Sequence, residues 1–130
     1  MNRSKEREQA FILVFEKAFN PESTIEDIFD LAIESEFMKP SDFAIDLAKK
    51  TVENIEEIDS KIEKYAVGWT IPRITKVSLS ILRIAVCEIL YMDDIPVGVS
   101  INEAVELAKQ YASKEDSAFI NGVLGSLSKA

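Results

Sequence analysis

The sequence predicts an all-α fold, a compact bundle of about six or seven helices in a single domain over residues 1–130. Three observations favour this class. Apolar residues recur every three or four positions along almost the whole chain, as they do on one face of a helix. Glycine and proline are scarce, with four of each, and most stand where helices are expected to begin or end. No stretch shows the alternation of apolar and polar residues that is typical of a half-buried strand.

The first two helices are predicted from aromatic and capping patterns. Three phenylalanines lie at positions i, i+4 and i+8 of the first segment: Phe11, Phe15 and Phe19. This helix should end at Asn20, because the residue before a proline disfavours the helical conformation. Ser23 and Glu26 then have the spacing of a capping box, which predicts that a second helix begins there. No basic residue occurs between Lys17 and Lys39, and the acidic run in between is typical of a solvated helix face.

A long third helical segment is predicted to begin after Pro40, with Ser41 and Asp42 at its start. Residues 59–60, an Asp-Ser pair, are the expected point at which this segment bends or breaks. Gly68 is placed to end the segment in the left-handed conformation, which glycine adopts without steric strain.

The next two helices differ in character. Thr70 is expected to cap the first of them. Residues 77–92 are apolar almost all round, so this helix should be central and buried. After a loop at residues 93–96, Ser100 and Glu103 have the spacing of a second capping box.

The last segment contains Asn121-Gly122, a pair that usually signals a turn. Apolar residues nevertheless keep helical spacing across this pair: Phe119, Ile120, Val123, Leu124 and Leu127. We therefore predict a continuous helix. A glycine inside a helix costs about 1 kcal/mol relative to alanine, so Gly122 is expected to be a point of close packing.

Composition excludes several classes of function. With one cysteine, Cys87, and no histidine, the chain lacks the residues for a zinc site or for Ser-His or Cys-His catalysis. The apolar stretch at residues 77–92 contains Arg83 and Glu88 and is shorter than the roughly 20 residues of a membrane span. The N-terminus lacks the apolar run of a signal peptide. We therefore expect a cytoplasmic protein that is not an enzyme and uses no metal or cofactor.

Two regions are locally basic, although the chain carries 15 Lys+Arg against 23 Asp+Glu. Three cations stand at the start of the first helix, where they oppose the helix dipole: Arg3, Lys5 and Arg7. A second, acid-free region between Glu63 and Glu88 contains four more: Lys64, Arg73, Lys76 and Arg83. Nucleic-acid phosphates favour such clusters through counterion release. Arg83 is an exception, because an arginine inside an apolar helix should pair with a carboxylate, for which Glu88 is one candidate.

Three strings in the C-terminal half are distinctive. They are Leu-Arg-Ile-Ala at residues 82–85, Ile-Asn-Glu-Ala-Val-Glu-Leu-Ala-Lys at residues 101–109, and Phe-Ile-Asn-Gly-Val-Leu at residues 119–124. Together with Trp69 and Arg73, these strings closely resemble the NusB transcription antitermination factor family.

The resemblance implies an all-helical fold of two small bundles. It also implies three partners: the ribosomal protein that doubles as NusE, the boxA element of nascent ribosomal RNA, and the RNA polymerase antitermination complex. The basic N-terminus then becomes an RNA-binding arm, which explains why cations stand against the helix dipole. The RNA-binding residues implied for this chain are Arg3, Lys5, Arg7, Lys114, Phe119 and Asn121. The NusE-binding residues implied are Phe15, Glu115 and Asp116.

Two details of this chain qualify the expected RNA surface. Ser4 interrupts the arm and Glu6 and Glu8 dilute it, so we expect low RNA affinity for the isolated chain. Phe119 is expected to be partly exposed, because its neighbours can bury the last helix without it. An exposed Phe119 can stack on an unpaired base, whereas a role as ordinary core is the alternative.

Two other functions stay open at this point. One is a protein-interaction adaptor without an RNA role. The other is the NusB-like domain of an RNA cytosine methyltransferase, for which a chain that ends at Ala130 is expected to leave no room. The sequence also leaves open whether the protein is a monomer or a homodimer.

Overall fold

The computed structural model describes residues 2–130, and within this range the chain folds into seven α-helices. Their bounds are α1 (Arg3–Phe19), α2 (Ile25–Glu34), α3 (Asp42–Glu53), α4 (Ile55–Tyr65), α5 (Lys76–Tyr91), α6 (Val97–Tyr111) and α7 (Lys114–Ser128). A short 3-10 helix, Ile71–Arg73, precedes α5. The predicted all-α class is therefore confirmed.

The central element of the fold is α5, which packs against α1, α3, α4, α6 and α7. Ile81, Leu82 and Val86 on this helix are fully buried. Around it, α1 to α3 pack on one another, and α7 packs against both α4 and α6. The prediction that residues 77–92 form a central buried helix is confirmed, and the two groups of helices fit the two small bundles that the resemblance implies.

Two helix ends lie where the sequence places them. Asn20 is the C-cap of α1, directly before Pro21. The Ser41 hydroxyl caps α3 by accepting a hydrogen bond from the Ala44 amide at 3.1 Å. These two ends depend on local chemistry, which the sequence contains in full. Gly68 has the expected left-handed conformation, with a φ of 86°, but it is not the cap: α4 ends at Tyr65 with Ala66 as its C-cap, and Gly68 lies in the turn that follows.

The predicted cap of α2 is wrong by one residue. Thr24, not Ser23, forms the capping box, in which its hydroxyl accepts from the Asp27 amide at 3.0 Å. The Asp27 carboxylate in turn accepts from the Thr24 amide at 3.1 Å. Because Ser23 and Thr24 are adjacent and each precedes an acidic residue at the right spacing, the pattern alone does not decide between them.

Two further boundaries differ from the prediction. The long third segment breaks at Asn54, which ends α3 and begins α4, and residues 59–60 lie inside α4. Thr70 precedes the 3-10 helix without a side-chain capping bond. The cap of α5 is instead Thr75, whose hydroxyl accepts from the Ser78 amide at 3.3 Å.

Ser100 and Glu103 do not form a capping box, because α6 begins earlier, at Val97. Ser100 is buried, and its hydroxyl donates to the Glu88 carboxylate at 2.8 Å. Glu103 instead pairs with Arg7, and the distance from Glu103 Oε1 to Arg7 Nη1 is 3.3 Å. Both side chains are engaged by contacts to other helices, which spacing along one helix does not reveal.

The turn after α2 holds Glu36 in the left-handed conformation, with a φ of 58°. The Glu36 amide donates to the Ile33 carbonyl at 3.1 Å, and the Phe37 amide donates to the Ala32 carbonyl at 3.1 Å. This is the Schellman arrangement, in which glycine usually takes the left-handed position. It fixes the direction in which Phe37 leaves the helix.

Gly122 lies inside α7, so the predicted continuous helix is confirmed, but the predicted close packing is wrong. A Cβ atom built at Gly122 meets no heavy atom within 4 Å among the described residues.

We therefore expect the Gly122→Ala variant to be more stable than the wild type by up to about 1 kcal/mol, because alanine has the higher helix propensity. Urea unfolding followed by circular dichroism measures the change. A variant less stable than the wild type would restore close packing as the role of Gly122.

Candidate nucleic-acid interface

The N-terminal arm is part of a helix, not a frayed terminus. The Asn2 side chain caps α1 by accepting from the Lys5 amide at 2.9 Å. Arg3 and Lys5 project into solvent, with 55% and 65% of their side chains exposed. Each lies 3.5 Å from an acidic residue one turn later, Arg3 from Glu6 and Lys5 from Glu8. The two cations are accessible but already partly neutralised.

Arg3 is also oriented by an aromatic ring of α3. Its guanidinium carbon lies 4.0 Å from the centre of the Phe43 ring, which is within cation–π range. A planar guanidinium held in this way still presents its outer N–H groups, the groups that grip phosphate oxygens. Phe43 therefore reduces the freedom of the arm without occupying its hydrogen-bond donors.

Arg7 does not belong to the exposed arm, and the expectation that it does is wrong. It is 4% exposed. Its Nε donates to Glu88 Oε2 at 2.8 Å, and its Nη1 donates to Glu103 Oε1 at 3.3 Å. Ser4 also donates to Glu103. This cluster joins α1 to α5 and α6. The Arg7 guanidinium is therefore not available to RNA.

The burial of Arg7 has a signal in the sequence. Ala10, Phe11 and Val14 are buried on α1, and they follow Arg7 by three, four and seven positions. Residues at these intervals share one face of a helix. Arg7 therefore continues the apolar stripe by one turn and needs a buried carboxylate as its partner.

Glu8 fixes the arm to the end of α6. Its Oε2 accepts from the Tyr111 hydroxyl at 2.6 Å and from Gln110 Nε2 at 2.8 Å. The hydrogen bond from Tyr111 holds the pKa of Glu8 below its ordinary value. Burial, together with this bond, raises the pKa of Tyr111 to about 12. The carboxylate and the neutral phenol are therefore both favoured near neutral pH.

Tyr111 lies just before α7, so the bond brings the arm close to the start of that helix.

A cleft lies on another part of the surface, between the 3-10 helix and α7. Its cavity has a volume of about 270 Å³. Trp69 and Phe119 line it, with ring centres 5.7 Å apart in an edge-to-face arrangement. The Arg73 guanidinium lies 5.6 Å from the Trp69 ring centre. Trp69 is 44% exposed and Phe119 is half-buried. We call Trp69, Arg73 and Phe119 the aromatic cleft.

The floor and rim of the aromatic cleft are polar. Ser78 is 1% exposed, and its hydroxyl has no hydrogen-bond partner within residues 2–130. Glu115 and Asp116 also line the cavity. Asp116 already accepts from the Ser113 amide and hydroxyl, at 3.2 and 2.8 Å, as part of the α7 capping box. Glu115 is therefore the freer of the two acids.

The structure divides the expected site residues of α7 between two faces. Lys114 and Asn121 are exposed and seven positions apart, so they share one face. Phe119 lies on a different face with Glu115, four positions before it. The expected partial exposure of Phe119 is confirmed, since it packs against the core and also lines the cleft.

Phe15, the expected NusE contact on α1, is half-buried within a row of rings. Its centre lies 6.0 Å from Phe11 and 4.9 Å from Phe19, and Phe11 lies 4.9 Å from Tyr111. Phe19 is 56% exposed, with the Lys76 ammonium 5.4 Å from its ring centre. Phe15 and Phe19 thus form an apolar strip that ends at solvent. Glu115 and Asp116 line the cavity of the aromatic cleft and are not part of this strip.

Arg83 is paired as expected, but with a different carboxylate. Its Nε and Nη2 donate to the two oxygens of Asp59, each at 2.8 Å. Glu88 is five positions from Arg83 on α5 and points to another face, where it binds Arg7. Arg83 therefore joins α5 to α4 and leaves the set of free cations.

Trp69 and Arg73 were not among the expected contacts, although both belong to the cleft. The sequence contains one signal for them, because Arg73 lies in the acid-free stretch between Glu63 and Glu88. A half-exposed tryptophan beside an exposed arginine favours binding of a flat or anionic ligand.

Two further observations concern metal binding and membrane spans. Within residues 2–130, no cluster of three or more His, Cys, Asp or Glu side chains is arranged to hold a metal ion. In the same part of the chain, no helix combines the length and the apolar character that crossing a membrane requires.

Known proteins resemble this chain over nearly its whole length. The sequence profile of the NusB family matches residues 4–129. The transcription antitermination protein NusB of Acetivibrio thermocellus is 43% identical over 99% of this chain and 90% of its own length. That of Natranaerobius thermophilus is 44% identical over 95% of this chain and 92% of its own.

A solved structure agrees with the sequence matches. A crystal structure of the antitermination factors NusB and NusE in complex with dsRNA contains a chain that is 30% identical to this one. The two chains superpose with a TM-score of 0.84, covering 99% of this chain and 98% of that chain. The fold, the strings in the C-terminal half and the full-length matches agree: the chain belongs to the NusB family.

Proposed function

We propose that the chain is a transcription antitermination factor that pairs with NusE, binds boxA RNA and helps RNA polymerase to read through terminators. It acts in the cytoplasm as a single domain. The observation that carries the proposal is the aromatic cleft, in which two rings and an exposed arginine meet on an otherwise acidic protein. Relatives named as transcription antitermination proteins, and not as enzymes, support the same role.

The two parts of the surface suit two parts of an RNA strand. Arg3 and Lys5 are exposed cations and fit backbone phosphates. Trp69 and Phe119 present ring faces and edges on which an unpaired base can stack, a contact worth about 1–3 kcal/mol. Arg73 lies beside Trp69 and can meet the phosphate next to a stacked base. On the other face of α7, Lys114 and Asn121 extend the proposed path.

Electrostatics explain why a second protein is needed. The chain has a net charge of −8, and both arm cations are already paired with glutamates. A polyanion such as RNA is therefore attracted only locally and repelled overall. NusE is proposed to contact Phe15, Glu115 and Asp116, of which Asp116 is held in place by its capping bonds to Ser113. The charge of NusE then contributes to the RNA affinity of the complex, whereas the RNA affinity of the isolated chain is low.

The RNA arm can be tested by its salt dependence. We expect the Arg3→Ala/Lys5→Ala double variant, in complex with NusE, to bind boxA RNA more weakly. The slope of log K against log salt should become shallower by about 1.4, because two phosphate contacts to a single strand are lost. Filter binding at several salt concentrations measures both quantities.

The matched control is the Lys39→Ala/Lys49→Ala double variant, which removes the same charge from two exposed lysines outside the proposed surface. It should leave the slope unchanged. Equal effects of the two double variants would mean that only net charge matters. An unchanged affinity in the arm variant would remove the arm from the RNA surface.

A further inference from the structure

An apolar groove lies between α1, α2 and the turn after α2, away from the proposed RNA contacts. Its cavity has a volume of about 420 Å³. Apolar side chains from both helices and the turn line it: Ile12, Ile28, Leu31, Phe37 and Met38. None of these residues belongs to the arm, the aromatic cleft or the strip of Phe15 and Phe19.

The groove is open to solvent, and its walls are held in place. Leu31 is 63% exposed and Phe37 is 67% exposed, which is unusual for two large apolar side chains at one groove. The left-handed turn at Glu36 and the bond from the Phe37 amide to the Ala32 carbonyl fix the backbone that carries Phe37. The exposed ring is therefore a feature of an ordered turn.

Acidic side chains surround this apolar surface. Glu16 lines the groove from α1. Asp27 and Glu34 are exposed on α2, four positions before and three positions after Leu31, and so flank it on the same face. The chain has no Lys or Arg between Lys17 and Lys39. The groove thus combines an apolar floor with a negative rim.

We propose that this groove docks a cationic amphipathic helix of a protein partner. Such a helix places apolar residues at i, i+3, i+4 and i+7 into a groove while its basic face meets the rim. The negative rim selects against the other occupants. RNA and anionic lipid carry the same sign of charge, and a second copy of this chain would bring its own acidic rim against this one.

The probe is a synthetic helix of about 18 residues, with leucines at i, i+3, i+4 and i+7 and lysines elsewhere. A peptide of the same composition in shuffled order is its control. We expect the full chain to bind the amphipathic peptide, and binding to weaken as salt is raised. We expect the Leu31→Ser variant to bind about tenfold more weakly, because the leucine no longer buries apolar surface. Fluorescence anisotropy measures both.

The matched control variant is Ile33→Ser, which changes another exposed apolar residue of α2 that does not line the groove. It should bind as the wild type does. The Glu16→Gln/Glu34→Gln variant keeps the shape of the rim and should show weaker, less salt-dependent binding. All these residues are exposed, so thermal melts should confirm that each variant is folded.

Five results would overturn the proposal. Equal losses in the Leu31→Ser and Ile33→Ser variants, or equal binding of the shuffled peptide, would indicate general attraction to an acidic protein. A dimer in sedimentation experiments that Leu31→Ser makes monomeric would make a second copy the occupant. If the chain binds phosphatidylserine vesicles and Leu31→Ser abolishes this binding, the occupant of the groove is a membrane surface. If the chain shows no measurable binding of the amphipathic peptide at low salt, the groove does not dock a helix of this kind.

Discussion

Replacing Arg7 with alanine is expected to lower the free energy of unfolding by about 3–5 kcal/mol, the range for breaking a buried ion pair. Glu88 is 1% exposed and accepts from Arg7 at 2.8 Å. Without the guanidinium, this carboxylate stays buried with the Ser100 hydroxyl as its remaining described donor. Guanidinium chloride unfolding followed by circular dichroism measures the loss.

Arg3 provides the matched control, because it is an arginine of the same helix with an exposed side chain. Arg3→Ala should change stability by no more than about 0.5 kcal/mol. The Arg7→Met/Glu88→Leu double variant should be more stable than Arg7→Ala, since it leaves no buried charge unpaired. If Arg7→Ala unfolds at the same denaturant concentration as Arg3→Ala, the buried pair does not hold the helices together.

Two residues of α7 should separate stability from RNA binding. Leu124 is fully buried, and Leu124→Ala is expected to cost about 2–5 kcal/mol of stability. Phe119 is half-buried against the core and packs edge-to-face with Trp69. Phe119→Ala should therefore cost less stability than Leu124→Ala but weaken boxA binding, because a base loses a stacking partner. Thermal melts and RNA titration with NusE present measure the two effects.

The comparison also tests the alternative role of Phe119. If Phe119→Ala melts as early as Leu124→Ala and the folded fraction binds RNA normally, then Phe119 is a core residue. Trp69→Ala is a useful third variant, since Trp69 is nearly half exposed and lines the same cleft. It should weaken RNA binding with little change in the melting temperature.

Much of the fold can be predicted from the sequence because helices repeat their contacts every three to four residues. The apolar stripe through Phe11 and Val14 fixes α1, and the continuous stripe across Gly122 fixes α7. Helix starts are less certain because capping signals are short. Ser23 and Thr24 both fit the pattern of the α2 cap, and only Thr24 forms it. Ser100 also fits the pattern of a cap, but it lies inside α6 and donates a hydrogen bond to Glu88 of α5.

The residues of the candidate site also differ in whether the sequence alone can place them. Arg3 and Lys5 could be placed from the sequence, since they begin a helix and precede its apolar stripe. Trp69 and Phe119 could not be paired, because their contact depends on how α7 packs beside the 3-10 helix. Arg7 was misplaced because its position near the N-terminus outweighed its position on the stripe. Glu88, its partner, is far away in sequence.

The central claim is that this chain and NusE together form the RNA-binding unit. The most direct measurement is a titration of boxA RNA with the chain alone, with NusE alone and with an equimolar mixture, each repeated with a scrambled RNA of the same length. The mixture should bind boxA more tightly than either protein does, and more tightly than it binds the scrambled RNA. A mixture that binds no better than NusE alone, or that does not distinguish the two RNAs, would contradict the claim.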